Sequence, residues 1–280
     1  MHPKWLKVKI PTGKNYFALK GKVKALKLHT VCEEARCPNV GECWGKKTAT
    51  IMILGDTCTR GCRFCAVKSG NPGGYVDKEE PARVAQAIQF MELRYVVITS
   101  VDRDDLEDGG AGQFYHTVLE TRKAAPDVKI EILIPDFKGN VALLDLVSSC
   151  RPDVISHNLE TVRRLTPLVR DARCSYDGSL EVLRYIKESA PTIITKSGFM
   201  VGFGETREEI IQTLDDLRKA GCQIVTIGQY LQPTKKHLPV IEYIHPETFQ
   251  SYQDIGLNMG FLDVVSAPLV RSSYKAHLPG

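Results

Sequence analysis

Seven short runs rich in β-branched and other apolar residues recur along the chain from about residue 48 onward. They read TATIMIL (48–54), YVVITS (95–100), VKIEILI (128–134), PDVISH (152–157), TIITKSGFMVGF (192–203), CQIVTIGQ (222–229) and FLDVVSA (261–267). Nearly continuous apolar character, without strict alternation, marks strands buried on both faces, as in a parallel sheet. Amphipathic segments lie between them. Over 81–91, Val84, Ile88 and Met91 share a face behind Pro81, which suits a first helical turn. Over 206–220, Thr206 and Glu209 fit a capping box, Ile210, Leu214 and Leu217 form the stripe, and Gly221 ends it. Six strand–helix units in succession predict a parallel α/β sheet, barrel-like or doubly wound. The polar residues favour the barrel, because they follow directly after strands: the Cys58 loop, TSVDRDD (99–105), Pro135-Asp136, His157-Asn158, GFGE (202–205) and QYLQP (229–233). In a barrel all such loops gather at one face.

With 280 residues, 43% hydrophobic and 25% charged, the composition is that of an ordinary globular protein. No apolar run approaches the roughly 18 residues of a membrane span, and the first thirty residues lack the apolar core of a secretory signal. These features predict a cytoplasmic protein. The net charge is 37 − 33 = +4, but residues 1–30 carry eight lysines and no acid, which leaves 29 − 33 = −4 for the rest. Such a basic arm suits an acidic partner. Its charges are all lysine, unlike the arginine-rich pattern of a transit peptide.

Six of the nine cysteines fall between positions 32 and 65. In a reducing compartment this density points to metal rather than disulfides. Cys150, Cys174 and Cys222 stand alone and read as small buried hydrophobes. In TCTRGCRFC, Cys58, Cys62 and Cys65 are spaced C-x3-C-x2-C, with no fourth cysteine or histidine close enough to complete a tetrahedral zinc site. An iron–sulfur cubane accepts this loop, since each thiolate takes a different corner. Three thiolates for four irons leave one iron open to a small molecule. A second trio, Cys32, Cys37 and Cys43, is spaced C-x4-C-x5-C, matches no zinc pattern, and lies before the first strand.

The first trio resembles the signature of the radical S-adenosylmethionine (SAM) enzymes, with Phe64 before the last cysteine. GFMVGFGE, Gly198 to Glu205, is similar to that superfamily's G-x-I-x-G-x-x-E strand, with Met200 in place of isoleucine. Together LHTVCEEARCPNVGECW, TSVDRDDLEDGGA, SHNLETV, QYLQPTKKHLPV and PLVRSSYKA resemble lipoyl synthase from about Trp5 to Ala276. VRDARCSY departs from the family pattern by carrying Cys174. The resemblance implies a partial (β/α)6 TIM-like barrel over 48–265, a basic N-terminal extension over 1–47 with the auxiliary cysteines, and a tail over 266–280 with the RSSY motif.

The resemblance also implies two [4Fe–4S] clusters and S-adenosyl-L-methionine. Cys58, Cys62 and Cys65 would hold the cluster that reduces SAM to yield a 5′-deoxyadenosyl radical. Cys32, Cys37 and Cys43, with a serine from RSSY, would hold a sacrificial auxiliary cluster. That serine is Ser272 or Ser273, with Ser273 favoured and Arg271 placed to hold the tail down. The reaction implied inserts two sulfurs at carbons 6 and 8 of an octanoyl-lysine on a lipoyl-carrier protein, either the glycine-cleavage H protein or a 2-oxoacid dehydrogenase acyltransferase domain. The electron would come from a donor such as ferredoxin or flavodoxin. Cosubstrate contacts are expected from Thr99, Ser100 and Asp102, from Asn158 and Glu160, from Gly202 and Glu205, and from Lys196, which otherwise faces solvent at a barrel rim. The acidic run from Asp102 to Asp108 reads mainly as a solvated loop. Other sulfur-inserting radical enzymes, acting on tRNA or a biotin precursor, lack the C-x4-C-x5-C and RSSY motifs. A zinc-stabilised nucleic-acid binder would leave the post-strand residues without a purpose. No nucleic-acid or membrane partner is expected.

Overall fold

The computed structural model describes residues 3–6, 20–21, 23–26, 28–31 and 39–273. Cys32 and Cys37, and much of the lysine-rich arm, lie outside the described residues. Ten strands are found among the described residues: β1 (His29–Thr30), β2 (Thr48–Ile53), β3 (Thr57–Cys58), β4 (Lys68–Ser69), β5 (Tyr95–Ser100), β6 (Lys129–Leu133), β7 (Val154–Ser156), β8 (Ile194–Val201), β9 (Ile224–Gln229) and β10 (Asp263–Ala267). The helices are α1 (Val40–Gly45), α2 (Glu80–Phe90), α3 (Ala111–Ala124), α4 (Val141–Ser149), α5 (Thr166–Val169), α6 (Tyr176–Ser189), α7 (Arg207–Lys219) and α8 (Pro246–Asn258).

The main sheet runs β1-β2-β5-β6-β7-β8-β9-β10. Every pair from β2 to β10 is parallel. All seven apolar runs are therefore strands of one sheet, each from β2 to β9 followed by helix, and the sheet curls without closing. This is the partial barrel expected, with β10 as an additional parallel strand. The departure is at the other edge, where β1 pairs antiparallel with β2 through His29–Met52 and Thr30–Ile51. A two-residue strand carries no periodicity to read.

Local signals match the helices. Thr206 accepts from the Glu209 amide while the Glu209 carboxylate accepts from the Thr206 amide, a complete capping box on α7. Pro81 occupies the first turn of α2. Outward-facing strand residues pack under the helices in two clusters. One joins β2, β5 and β6 to α2, α3 and α4 through Ile51, Ile98, Ile130, Ile88, Phe114 and Leu144. The other joins β8, β9 and β10 to α7 and α8 through Phe199, Val225, Val264, Leu214 and Phe249.

After β10 the chain turns back over β9. A Cβ at Gly228 would stand 2.1 Å from the carbonyl oxygen of Val270, so only glycine lets the tail lie there. Arg271 donates from Nη1 to the Gln229 carbonyl at 3.4 Å, and Asn39 Nδ2 donates to the Leu269 carbonyl at 2.7 Å. The tail is thus held by β9 on one side and by the residue preceding α1 on the other. Because the clash is with backbone, Gly228→Ala is expected to destabilise the protein by about 1–3 kcal/mol and to speed tryptic cleavage after Arg271. Cleavage at the wild-type rate would mean that the tail does not need this close approach.

Candidate functional site

One cavity of about 820 Å³ opens at the C-terminal ends of the parallel strands. Cys58, Cys62, Cys65, Thr99, Ser100, Asp102, Asn158, Glu160, Ser272 and Ser273 all line it. Loops distant in sequence therefore meet here, as parallel strand order dictates. GFGE is the exception: Gly198 and Met200 of β8 reach the cavity, but Gly202 and Glu205 do not.

The cysteine loop is closed on itself and then fastened from outside. β3 and β4 pair in parallel, bringing Cys58 opposite Ser69, and Gly70 N donates to the Cys58 carbonyl at 2.9 Å. Arg63 N donates to the Val169 carbonyl. His237 Nε2–H donates to the Cys65 carbonyl at 2.9 Å, a tautomer fixed because a carbonyl can only accept. The main tether is Arg60, between the first two cysteines and 4% exposed. Its guanidinium donates to both oxygens of Asp104 at 2.9 and 3.0 Å and to both oxygens of Asp136 at 2.7 and 2.8 Å. Asp102 lies 3.5 Å away. Arg173 adds a second clamp, reaching the Thr59 carbonyl, Asp104 and Asp171.

Electrostatics follow from these contacts. Burial alone would raise the Asp136 carboxyl, but the Arg60 hydrogen bonds outweigh it and hold it at about 2. Burial lifts Asp102 despite Arg60. Cys58 is pushed up to about 11, first by burial and then by Asp102, and burial raises Cys65. Cys62 is raised chiefly by its hydrogen bond to Cys174, then by burial. In the chain alone these thiols keep their protons, and a bound metal centre would be what removes them. His157 is fully enclosed and lowered to about 4 by burial. Its Nδ1–H donates to the Ile134 carbonyl and its Nε2 accepts from Ser179, so it stands neutral beneath the cavity wall.

The wall fits a polar ligand beside the trio. Ser100 Oγ and Asn158 Oδ1 are buried there without a hydrogen-bond partner, although such groups are nearly always satisfied. Asn158 Oδ1 can only accept, so it calls for an amine or hydroxyl. Gly198 keeps the space beside it open: a Cβ would sit 2.5 Å from Thr226 Oγ1 and 3.1 Å from Asn158 Oδ1. Asn158 Nδ2 donates to Glu160 at 3.0 Å, and burial raises the Glu160 carboxyl. Thr99 Oγ1 is already committed to the Leu133 carbonyl. Among the described residues no three His, Cys, Asp or Glu side chains converge on a single-ion position.

Several expectations need correction. Lys196 does not face solvent or the ligand space: it is 4% exposed and its Nζ donates to Glu131 at 2.9 Å. Tyr95 and Ser156 donate to the same carboxylate. The sequence contained a signal for this pair, since Glu131 and Lys196 are opposite charges stranded in runs buried on both faces. Glu205 accepts from the Gly202 and Phe203 amides, closing its own turn. The 102–108 run is structural for the most part: Asp104 binds Arg60, Asp105 binds buried Arg103, and Asp108 accepts from the Gly110 and Gly112 amides at the start of α3. Cys150 and Cys222 are buried as expected, but Cys174 lines the cavity. Cys43 is half-buried on α1 and packs against the core rather than lining the cavity.

Comparisons with known proteins bear on this geometry. Residues 52–217 match the model of the radical SAM superfamily, and residues 1–37 match that of the N-terminal domain of lipoyl synthase. The lipoyl synthase of Thermus thermophilus is 56% identical over 274 residues, covering 98% of this chain and 85% of that protein. That of Deinococcus radiodurans is 55% identical over 274 residues, covering 98% and 83%. The mitochondrial lipoyl synthase of Lodderomyces elongisporus is 54% identical over 278 residues, and this chain spans 98% of itself but 64% of that longer protein. Among solved structures, the FeFe-hydrogenase maturase of Carboxydothermus hydrogenoformans superposes with a TM-score of 0.62 at 16% identity, covering 90% of this chain and 58% of that one. Methylornithine synthase superposes at 0.56 and 15%, covering 96% and 82%. These two share the fold.

Arg60 yields a direct test. Arg60→Gln leaves buried carboxylates without their counter-charge and is expected to cost about 3–5 kcal/mol at pH 7. Asp136, depressed in the folded protein to about 2 from an ordinary 3.8, contributes stability above the ordinary value that is lost as pH falls through about 2. In the variant, burial without Arg60 raises these carboxyls, so they protonate earlier. The gap between the two proteins, followed by urea unfolding, should narrow from pH 7 towards pH 4. A constant gap would mean that the aspartates do not respond to Arg60.

Proposed function

The chain belongs to the lipoyl synthase family of the radical SAM superfamily, and on that premise we propose how its residues divide the work. It is an enzyme that inserts two sulfur atoms, at carbons 6 and 8 of a protein-bound octanoyl-lysine. When bound, an iron–sulfur cluster and SAM supply the one-electron chemistry that unactivated C–H bonds require, since such bonds offer a general base no acidic proton. Cys58, Cys62 and Cys65 hold that cluster, and the Arg60 tether fixes their loop against the strand ends. Ser100 and Asn158 receive the polar end of SAM, with Asp102 and Glu160 beside them. Thr99 shapes this wall through its bond to the Leu133 carbonyl. Lys196 with Glu131 supports the barrel interior from within the sheet, and Glu205 with Gly202 fixes the turn after β8.

We assign the auxiliary cluster to Cys32, Cys37 and Cys43 with Ser273 as fourth ligand, Ser272 being its neighbour. Two observations support this: both serines line the cavity, and Asn39, just before the helix of Cys43, is bonded to the tail that carries them. The substrates proposed are octanoylated lipoyl-carrier proteins, the H protein or acyltransferase domains, with the N-terminal lysines steering an acidic carrier. A ferredoxin or flavodoxin is the proposed electron donor. The cytoplasm is the proposed compartment. No helix among the described residues is long and apolar enough to cross a membrane.

One observation carries the reading: three C-x3-C-x2-C thiols share a cavity with two buried, unpartnered polar atoms. The test is an anaerobic reaction of iron-reconstituted protein with SAM, reductant and an octanoyl-lysyl peptide, read by mass spectrometry. Peptide with two added sulfurs, together with 5′-deoxyadenosine, is expected. Replacing Cys58, Cys62 or Cys65 by alanine should lower deoxyadenosine at least about a hundredfold. Cys43→Ala should keep SAM cleavage while losing sulfur transfer. Deoxyadenosine production unaffected by all three trio variants would overturn the assignment. In a separate arm, Ser273→Cys should allow the first sulfur insertion but slow the second, because a thiolate holds its iron more firmly than an alkoxide. Unchanged turnover would remove Ser273 from the ligand set.

A further inference from the structure

Inward and outward residues alternate along one side of the cavity rim. Cys62 and Phe64 line the cavity, while Arg63 between them does not and is exposed. In the loop after β9, Thr234 and His237 line it, while Lys235 and Lys236 between them are exposed. The two loops are joined where these cations emerge. His237 Nε2–H donates to the Cys65 carbonyl at 2.9 Å, and Leu238 N donates to the Arg63 carbonyl at 3.3 Å. Arg63 Nη1 in turn donates to the carbonyl of Leu168, itself 45% exposed, at 3.4 Å. Elsewhere on this rim the surface cations are paired. Arg163, Arg164 and Arg173 hold Asp177, Glu209 and Asp171 at 2.6, 2.6 and 2.8 Å. Arg63, Lys235 and Lys236 have no ion-pair partner among the described residues, and neither 61–66 nor 229–241 contains an acid. Unpaired charge of one sign, gathered at a cavity mouth beside an exposed apolar side chain, fits a negatively charged partner.

We propose that Arg63, Lys235 and Lys236, with Leu168 as their apolar contact, form the docking surface for the protein that bears the octanoyl-lysine. The segment they receive is an acidic stretch flanking the modified lysine. An octanoyl-lysine is the end of one unbranched arm, so when its carbons lie inside the cavity the polypeptide that carries it rests on the rim. Cations there select carriers by charge before the arm enters, and such steering weakens as salt screens it. These residues belong to the barrel and are distinct from the lysines of residues 1–30. The inference rests on the reading above for the octanoyl-lysine. Its charge preference is read by binding alone, without sulfur insertion, so the two fail separately.

The test titrates full-length, cluster-loaded protein into two fluorescent octanoyl-lysyl peptides, one flanked by glutamates and one by glutamines, and follows anisotropy. The glutamate peptide is expected to bind at least about tenfold more tightly, with the difference shrinking between about 50 and about 500 mM salt. Lys235→Glu combined with Lys236→Glu should erase the preference, and the paired glutamine substitutions should reduce it. Arg94→Glu combined with Arg151→Glu makes the same charge change at the opposite ends of the strands, before β5 and β7, and should keep the preference. Equal affinity for the two peptides in the wild type, or a preference that survives reversal of both lysines, would overturn the proposal. So would equal loss in the Arg94 and Arg151 variant, which would make the effect one of net charge. A lysine-reversal variant that keeps the peptide preference but makes less 5′-deoxyadenosine only when flavodoxin replaces dithionite would assign the surface to the electron donor instead.

Discussion

A single guanidinium in a ring of carboxylates holds this site together. Arg60 comes from the cysteine loop, Asp102 and Asp104 follow β5, and Asp136 follows β6. None of these charges is stable alone at such depth, because removing an ion from water costs several kcal/mol unless it is paired and hydrogen-bonded. The loop therefore cannot leave the strand ends without stranding buried charge on both sides. Placement of the three cysteines is a consequence of that pairing more than of any preference of the loop backbone.

The sheet supplies the frame on which this pairing acts. Parallel order from β2 to β10 sends every post-strand loop to one end. Polar groups are then distributed by depth. Glu131, Lys196, Tyr95 and Ser156 satisfy one another within the sheet, while Ser100 Oγ and Asn158 Oδ1 remain unsatisfied on the cavity wall. Glu131 and Lys196 are thus spent on each other, while the open acceptor and hydroxyl on the wall direct a polar ligand there.

The strands were legible because parallel burial leaves continuous apolar runs, and α7 because capping residues declare its start. That Cys58, Cys62 and Cys65 would meet the post-strand positions Ser100 and Asn158 at one cavity was legible from their places after the strands. Arg60 was not: a charge between two cysteines reads as solvated, and its partners lie 44 and 76 residues away, meeting it only when the barrel forms. Lys196 was misread for the same reason, since its partner sits 65 residues back on another strand. Cys174 looked inert because no local pattern links it to Arg60, 114 residues back, whose Nη1 lies 3.3 Å from its sulfur. Residues whose role depends on a partner from another loop are hidden in one dimension, whereas those whose role depends on spacing are not.

The tail across β9 has a bearing on biosynthesis. Residues 268–273 are translated after every strand of the barrel, yet Asn39 is bonded to Leu269, 230 positions later. A chain emerging from the ribosome folds its early units first, so the cavity stands with one wall missing until the tail arrives. The serines that line it are made only after every strand of the barrel, and the Asn39 amide must await its acceptor until all of those strands have been made.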